Sequence, residues 1–168
     1  MRKLLVPFMV ALLLPATAFA LQPAAQPPAS NGTLSIREAR GIVQLSARGS
    51  MTGRLRGKIR ITDPNPYDQK RPVVYGATKT TYKNEKTVVY EGRNLRFRLI
   101  GSKYTVRLEG RSIFMSAIGR GQGQLDGDGN LAGGVFFDGT YSLNDEPYHS
   151  LPDDLMGFEL AAPPPGDG

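Results

Sequence analysis

Residues 53–62 read GRLRGKIRIT. Leu55, Gly57, Ile59 and Ile61 stand at every second position, and Arg54, Arg56, Lys58 and Arg60 fill the positions between. Side chains of an extended strand point alternately to opposite faces, so this stretch sorts itself into an apolar face and a cationic face only as a β-strand. The same period recurs through the chain. Leu95, Phe97 and Leu99 alternate with Arg96 and Arg98, and Tyr104, Val106 and Leu108 alternate with Thr105 and Arg107. Leu34 with Ile36, and Val43 with Leu45, repeat it on a smaller scale.

Further strands are expected over 72–75, 87–91, 112–117, 135–143 and 156–160, where β-branched and aromatic residues cluster between turn residues. No stretch keeps a helical period for more than two turns. Asp126-Gly127, Asp128-Gly129 and Asp138-Gly139 supply turn or bulge chemistry. Residues 63–72, DPNPYDQKRP, contain three prolines, which lack the donor a central strand needs, and are read as a surface loop. Residues 145–155 have the same character. Together these features predict an all-β domain over 32–160, a single antiparallel barrel or sandwich of about ten strands.

The chain also repeats itself. LSARGSMTGRL (45–55) and MSAIGRGQGQL (115–125) share Ser-Ala-x-Gly-x-x-x-Gly-x-Leu at an offset of 70 residues. Extending the alignment to 34–61 against 104–131 gives seven identities in 28 positions, with apolar residues kept in phase. A unit of this size cannot bury one face alone, so two copies are expected to close on each other with pseudo-two-fold symmetry.

The ends are different in kind. Arg2 and Lys3 precede an apolar run over 4–14, and Ala18-Phe19-Ala20 offers small residues at the positions a signal peptidase reads. The run is too short to cross a hydrocarbon core of ~30 Å as a helix. Residues 1–20 are therefore read as a secretory signal, 21–31 as a Pro/Ala-rich linker and 161–168 as a disordered tail. The expected setting is secreted or envelope-associated, with no transmembrane segment in the mature chain.

Residue types exclude much chemistry. The chain has no cysteine and one histidine, His149, which removes disulfides, thiolate catalysis and multi-histidine metal sites. Ser46 and Ser116 in the doubled motif lack enough bases to be a pair of nucleophiles. GRGQG (119–123) resembles a phosphate-cradling loop, but the helix such a loop needs does not follow it. Asp126, Asp128 and Asn130 alternate as at the start of a calcium loop, yet the sixth and twelfth positions are Leu131 and Phe137 instead of glycine and glutamate. Asp138, Asp145, Glu146, Asp153 and Asp154 are the carboxylates from which a glycan-acting pair would have to come. They stand mostly in turn-like surroundings. No catalytic residue, metal or cofactor is expected.

Charge is the most informative feature. The formal charge is +6, but residues 32–120 hold 19 Lys/Arg against 6 Asp/Glu, and residues 121–168 hold 9 acids and no Lys or Arg. On the strand reading, Arg54, Arg56, Lys58, Arg60, Arg96, Arg98 and Arg107 all take the solvent phase. If their strands are neighbours they form a basic surface, expected to bind an anionic polymer of the cell envelope. Nucleic acid is not expected, since there is no recognition helix and no array of surface aromatics. The competing expectations are a small-ligand carrier, with Phe97, Tyr104, Phe114 and Phe136 around a barrel interior, and a carboxylate enzyme helped by His149.

The ordered elements GTLSI with Gly41 and Val43 (32–43), NLRFRLIG (94–101) and GTYSLN followed by Pro147-Tyr148 and SLP (139–152) resemble exported all-β proteins of high-GC bacteria. The resemblance spans most of 32–160 and implies a secreted β domain. It brings no catalytic motif.

Overall fold

The computed structural model describes residues 31–129, 131–132, 135–136 and 138–161. The expected signal over 1–20, nearly all of the linker and almost the whole tail lie outside them. The described residues are all-β, without a helix. Nine strands are present: β1 Gly32–Thr62, β2 Val73–Tyr75, β3 Lys79–Asn84, β4 Thr87–Gly127, β5 Leu131–Ala132, β6 Val135–Phe136, β7 Thr140–Leu143, β8 His149–Ser150 and β9 Met156–Leu160. Seven form one antiparallel sheet that is not closed into a barrel, and β5 with β6 form a separate two-stranded piece.

Two very long strands dominate. At ~3.3 Å per residue, the 41 residues of β4 would run ~135 Å if straight, far beyond a domain whose radius of gyration is expected near ~14 Å. The chain must bend, and the pairing shows how. Residues 41–62 of β1 lie between two different parts of β4: Val43 faces Leu108 on one edge and Leu125 on the other, and Ile59 faces Tyr90 and Leu108. β4 thus lines both edges of β1. One line of neighbours across the sheet runs Met156, Leu125, Val43, Leu108, Ile59, Tyr90, Thr80. Another runs Leu143, Leu34, Ala117, Met51, Leu99.

Both lines are buried or half-buried between the edge strands, and they belong to one continuous core. At three places the apolar phase is shifted by a bulge. In β1 it passes from Leu34 and Ile36 to Ala39 and Val43 across Glu38, which takes a positive φ of 55°. In β4 it shifts from Leu99 to Tyr104 across Gly101 (φ 78°) and from Leu108 to Ile113 across Ser112 (φ 51°). One inserted residue reverses the inward set, so each bulge restores the face that the bend would otherwise lose.

The glycines mark where backbones meet. Gly41, Gly49 and Gly57 recur every eight residues in β1, and Gly92, Gly101, Gly110 and Gly119 recur every nine in β4. In the register Gly49 faces Gly119, and Gly57 faces Gly110. A Cβ on Gly57 would fall onto the Glu109 carbonyl oxygen, and one on Gly49 onto that of Ile118. No other residue fits these contacts.

Bulges bend β1 and β4 without interrupting them, so seven of the roughly ten expected strands merge into two; with β3, β5 and β8 added and 135–143 divided, the described residues hold nine. The expected strand over 135–143 divides into β6 and β7, with Asp138 and Gly139 outside both. Residues 63–72 form a loop as expected, and 156–160 form β9. β3, exposed at one edge, was not anticipated from the sequence.

Candidate functional site: the solvent face of β1 and β4

The register decides which cations meet. Arg54 is directly opposite Arg96 on one edge and Phe114 on the other, and Thr52 stands between Arg98 and Ser116. Arg56 faces Arg111, a residue not foreseen as part of the surface, and Arg93 lies beside it in the bulge that precedes Leu95. Beyond β4 the line continues into β2, where Tyr75 faces Arg96 and Val73 faces Arg98.

Of these, Thr52, Arg54, Arg96, Phe114 and Ser116 border an open groove of about 610 Å³. Its floor carries a row of hydroxyls: Ser35, Ser116 and Thr52 are successive cross-strand partners. The Arg54 guanidinium lies 4.2 Å from the centre of the Phe114 ring, and Arg37 lies 4.0 Å from that of Tyr148. The Tyr148 hydroxyl lies 2.7 Å from Ser35 Oγ. The arrangement offers planar guanidinium donors, small hydroxyls and aromatic faces side by side.

The remaining expected site residues lie across Gly57 and have different company. Lys58 faces Glu91 and Glu109, while Arg60 faces Val89 and Arg107. Arg107 Nε donates to Glu109 Oε1 at 2.6 Å, Lys58 Nζ lies 3.8 Å from Oε2, and Arg107 also donates to Gln44 Oε1 at 3.2 Å. The hydrogen bond from Arg107, aided by the charges of Arg107, Lys58 and Arg60, holds the Glu109 carboxyl below its ordinary pKa. Among the described residues the other ion pairs are Arg40 with Asp128 and Lys79 with Glu91. Arg54, Arg56, Arg96 and Arg98 take part in none of them. The seven expected cations therefore divide: four uncompensated on one side of Gly57, three gathered around Glu109 on the other.

The serines and the histidine of the other candidate chemistries lie apart from one another in the fold. Ser46 Oγ is 3.0 Å from Thr105 Oγ1, a cross-strand hydroxyl pair, and Ser116 is part of the hydroxyl row. His149 is exposed on β8, its ring 5.8 Å from that of Tyr141. Asp145 accepts from Thr33 Oγ1 at 2.8 Å on the surface. Asp138 is the exception among the acids, only 3 % exposed, with Oδ2 accepting the Gly129 N–H at 2.9 Å. Burial first, and then Asp128 beside it, push its pKa up. It anchors a turn: its own carbonyl accepts the Arg40 N–H at 2.9 Å. Among the described residues no three His, Cys, Asp or Glu side chains converge as a metal site. No described helix is long and apolar enough to cross a membrane.

Of the four aromatics expected to line an interior, Phe97 and Tyr104 are packed in the core, and the Tyr104 hydroxyl donates to the Lys70 carbonyl. Phe114 is on the opposite, solvent-side face under Arg54, and the side chain of Phe136 lies outside the described residues. No protein-family model, curated protein or solved structure matches the chain.

Proposed function

We propose that this chain is a secreted, non-enzymatic β domain of the cell envelope that binds an anionic polymer through the β1–β4 face centred on Arg54, Arg96 and Arg98. One observation carries the reading: Arg54 stands directly opposite Arg96, with Arg98 beside them, and no carboxylate among the described residues pairs with any of the three. Like charges directly opposite across a ladder destabilise a sheet. A sequence selected for stability alone has acids to place there, as it does at Glu109. The uncompensated arginines are explained if an external anion completes them. Guanidinium groups suit that role, because they form paired hydrogen bonds with carboxylate, sulfate or phosphate.

The same proposal includes the finer architecture. The two motif copies pair with each other about Gly49 and Gly119: Ala47 faces Gly121, and Met51 faces Ala117. Leu34, Ile36, Val43, Leu45, Ala47 and Leu55 are buried, and so are their counterparts Tyr104, Val106, Ile113, Met115, Ala117 and Leu125. These matches support a duplicated unit closing on itself as a bent, sandwich-like sheet.

The test is binding of the mature chain to soluble acidic and neutral polymers across a salt series. Acidic polymers are expected to bind, with affinity falling steeply as salt rises, and neutral dextran is expected not to bind. Equal binding to acidic and neutral polymers, or no binding to any acidic polymer at low salt, rules the proposal out.

A further inference from the structure

A second cationic cluster lies further back along β1, and the charge pattern of the sequence does not reveal it. Arg48 has a basic partner on both edges, Lys103 on one and Arg120 on the other. All three are exposed, and none joins an ion pair among the described residues. They border an open depression of about 660 Å³ with Ser46 and Gln122, and Glu159 is the one acid among the described residues on its rim. Three cations abreast repel one another, as at Arg54 and Arg96, and again no acid is placed between them.

Arg48 and Arg54 share the solvent phase of one strand, six residues apart, a contour of about 20 Å. Ser50 and Thr52 occupy the positions between, and Thr52 belongs to the hydroxyl row with Ser116 and Ser35. Hydroxyls and amides also lead away from the second cluster, where Gln122, Ser46 and Thr105 are successive cross-strand partners. A surface with cations at two stations and hydroxyl or amide donors along the way matches a ligand that carries hydroxyls throughout and charge at intervals. A compact anion fills one station and leaves the other unpaired.

We infer that Arg48, Lys103 and Arg120 form a second subsite for the ligand of the Arg54 face, and that this ligand is a linear acidic glycan long enough to occupy both. The inference rests on the anionic-polymer reading above and adds to it the ligand class and a length requirement. Two linked subsites raise affinity through effective concentration, so a chain spanning both binds more tightly than one filling either alone.

Polyuronate of two lengths, a disaccharide and a long chain, tests it by titration at several salt concentrations. Two triple variants are compared with the unaltered chain: Arg48→Ser/Lys103→Ser/Arg120→Ser and Arg54→Ser/Arg96→Ser/Arg98→Ser. The second-cluster variant is expected to weaken long-chain binding about tenfold or more at low salt. Its salt slope is expected to fall by about one for each cation removed, with the disaccharide hardly affected. Arg48→Lys, which keeps the charge, is expected to keep the slope. A thermal melt checks folding, and relief of repulsion is expected to leave the second-cluster variant at least as stable as the unaltered chain. The inference is overturned if that variant binds the long chain with unchanged affinity and slope while the Arg54 variant loses binding. It is equally overturned if the disaccharide binds as tightly as the long chain. If neither length binds the unaltered chain, the anionic-polymer reading itself fails. Tight binding of long-chain polyphosphate with none of polyuronate overturns the glycan assignment alone.

Discussion

Arg54 and Lys58 lie four residues apart on the same strand and face of β1, yet the molecule treats their surroundings in opposite ways. Across from Arg54 stand Arg96 and Phe114; across from Lys58 stand Glu91 and Glu109. Glu109 also accepts from Arg107, so three cations on that side share one carboxylate neighbourhood. Gly57, where β1 meets Gly110, separates the two regions. The difference shows that the phase of a residue assigns it to a face, while the register assigns its electrostatic role. A basic strand face is a charge-balanced surface where acids stand opposite, and an uncompensated cationic one where they do not.

The largest effect is expected from breaking the boundary itself. In Gly57→Val, the new side chain would collide with the Glu109 carbonyl at a backbone φ of 149°, where glycine alone is at ease. A loss of about 3–5 kcal/mol or outright misfolding is expected, read by chemical denaturation, because strain and overpacking act together. A variant as stable as the unaltered chain would show that the two backbones are not so close. Next comes the comparison of cations. Arg54→Ser/Arg96→Ser is expected to cut polymer affinity severalfold or more and to leave stability unchanged or raised. Lys58→Ser/Arg107→Ser is expected to cost under about 1 kcal/mol of stability and to affect binding less, since exposed ion pairs contribute little.

Glu109→Gln sharpens the contrast further. It frees Lys58 and Arg107, so it is expected to strengthen binding of an acidic polymer modestly while lowering stability by about 0.5 kcal/mol at neutral pH. Its pH dependence carries a definite sign. Glu109 has a pKa below its ordinary value of 4.5 in the folded chain, so its contribution is present above that value and is lost as pH falls through the lower folded one. The stability gap between the unaltered chain and Glu109→Gln should therefore close on acidification below about pH 4.5, as measured by paired denaturation curves. A gap that widens in acid would mean that Glu109 is not held by its cations.

Much of this fold is legible in the sequence, and the reasons are local. Alternation around Leu55, Phe97 and Val106 identifies strands and sorts Arg54, Arg56, Lys58, Arg60, Arg96, Arg98 and Arg107 to the solvent face, because period two is a property of the strand alone. The proline-rich loop at 63–72 follows as directly from missing donors. What is not legible depends on distant parts of the chain. Nothing near Val43 says that it will lie between Leu108 and Leu125, so neither the split around Glu109 nor the trio of Arg48, Lys103 and Arg120 can be read before the register is known. Bulges at Glu38 and Ser112 are equally hidden, since neither is a residue that ordinarily takes positive φ. β3 had a signal that reading by apolar alternation passes over: Thr80, Thr81 and Tyr82 favour strands, but as a charged edge they bury little.

The central claim is that the arginines left without acids are the ones an external polyanion neutralises. The most direct measurement is the salt slope of long-chain polyuronate binding for the unaltered chain, for Arg54→Ser/Arg96→Ser and for Lys58→Ser/Arg107→Ser. The first pair of substitutions is predicted to lower the slope by about two and the second by well under one, because Lys58 and Arg107 already have Glu109. Equal reductions from both pairs would show that the polymer sees only net charge, and would contradict the account.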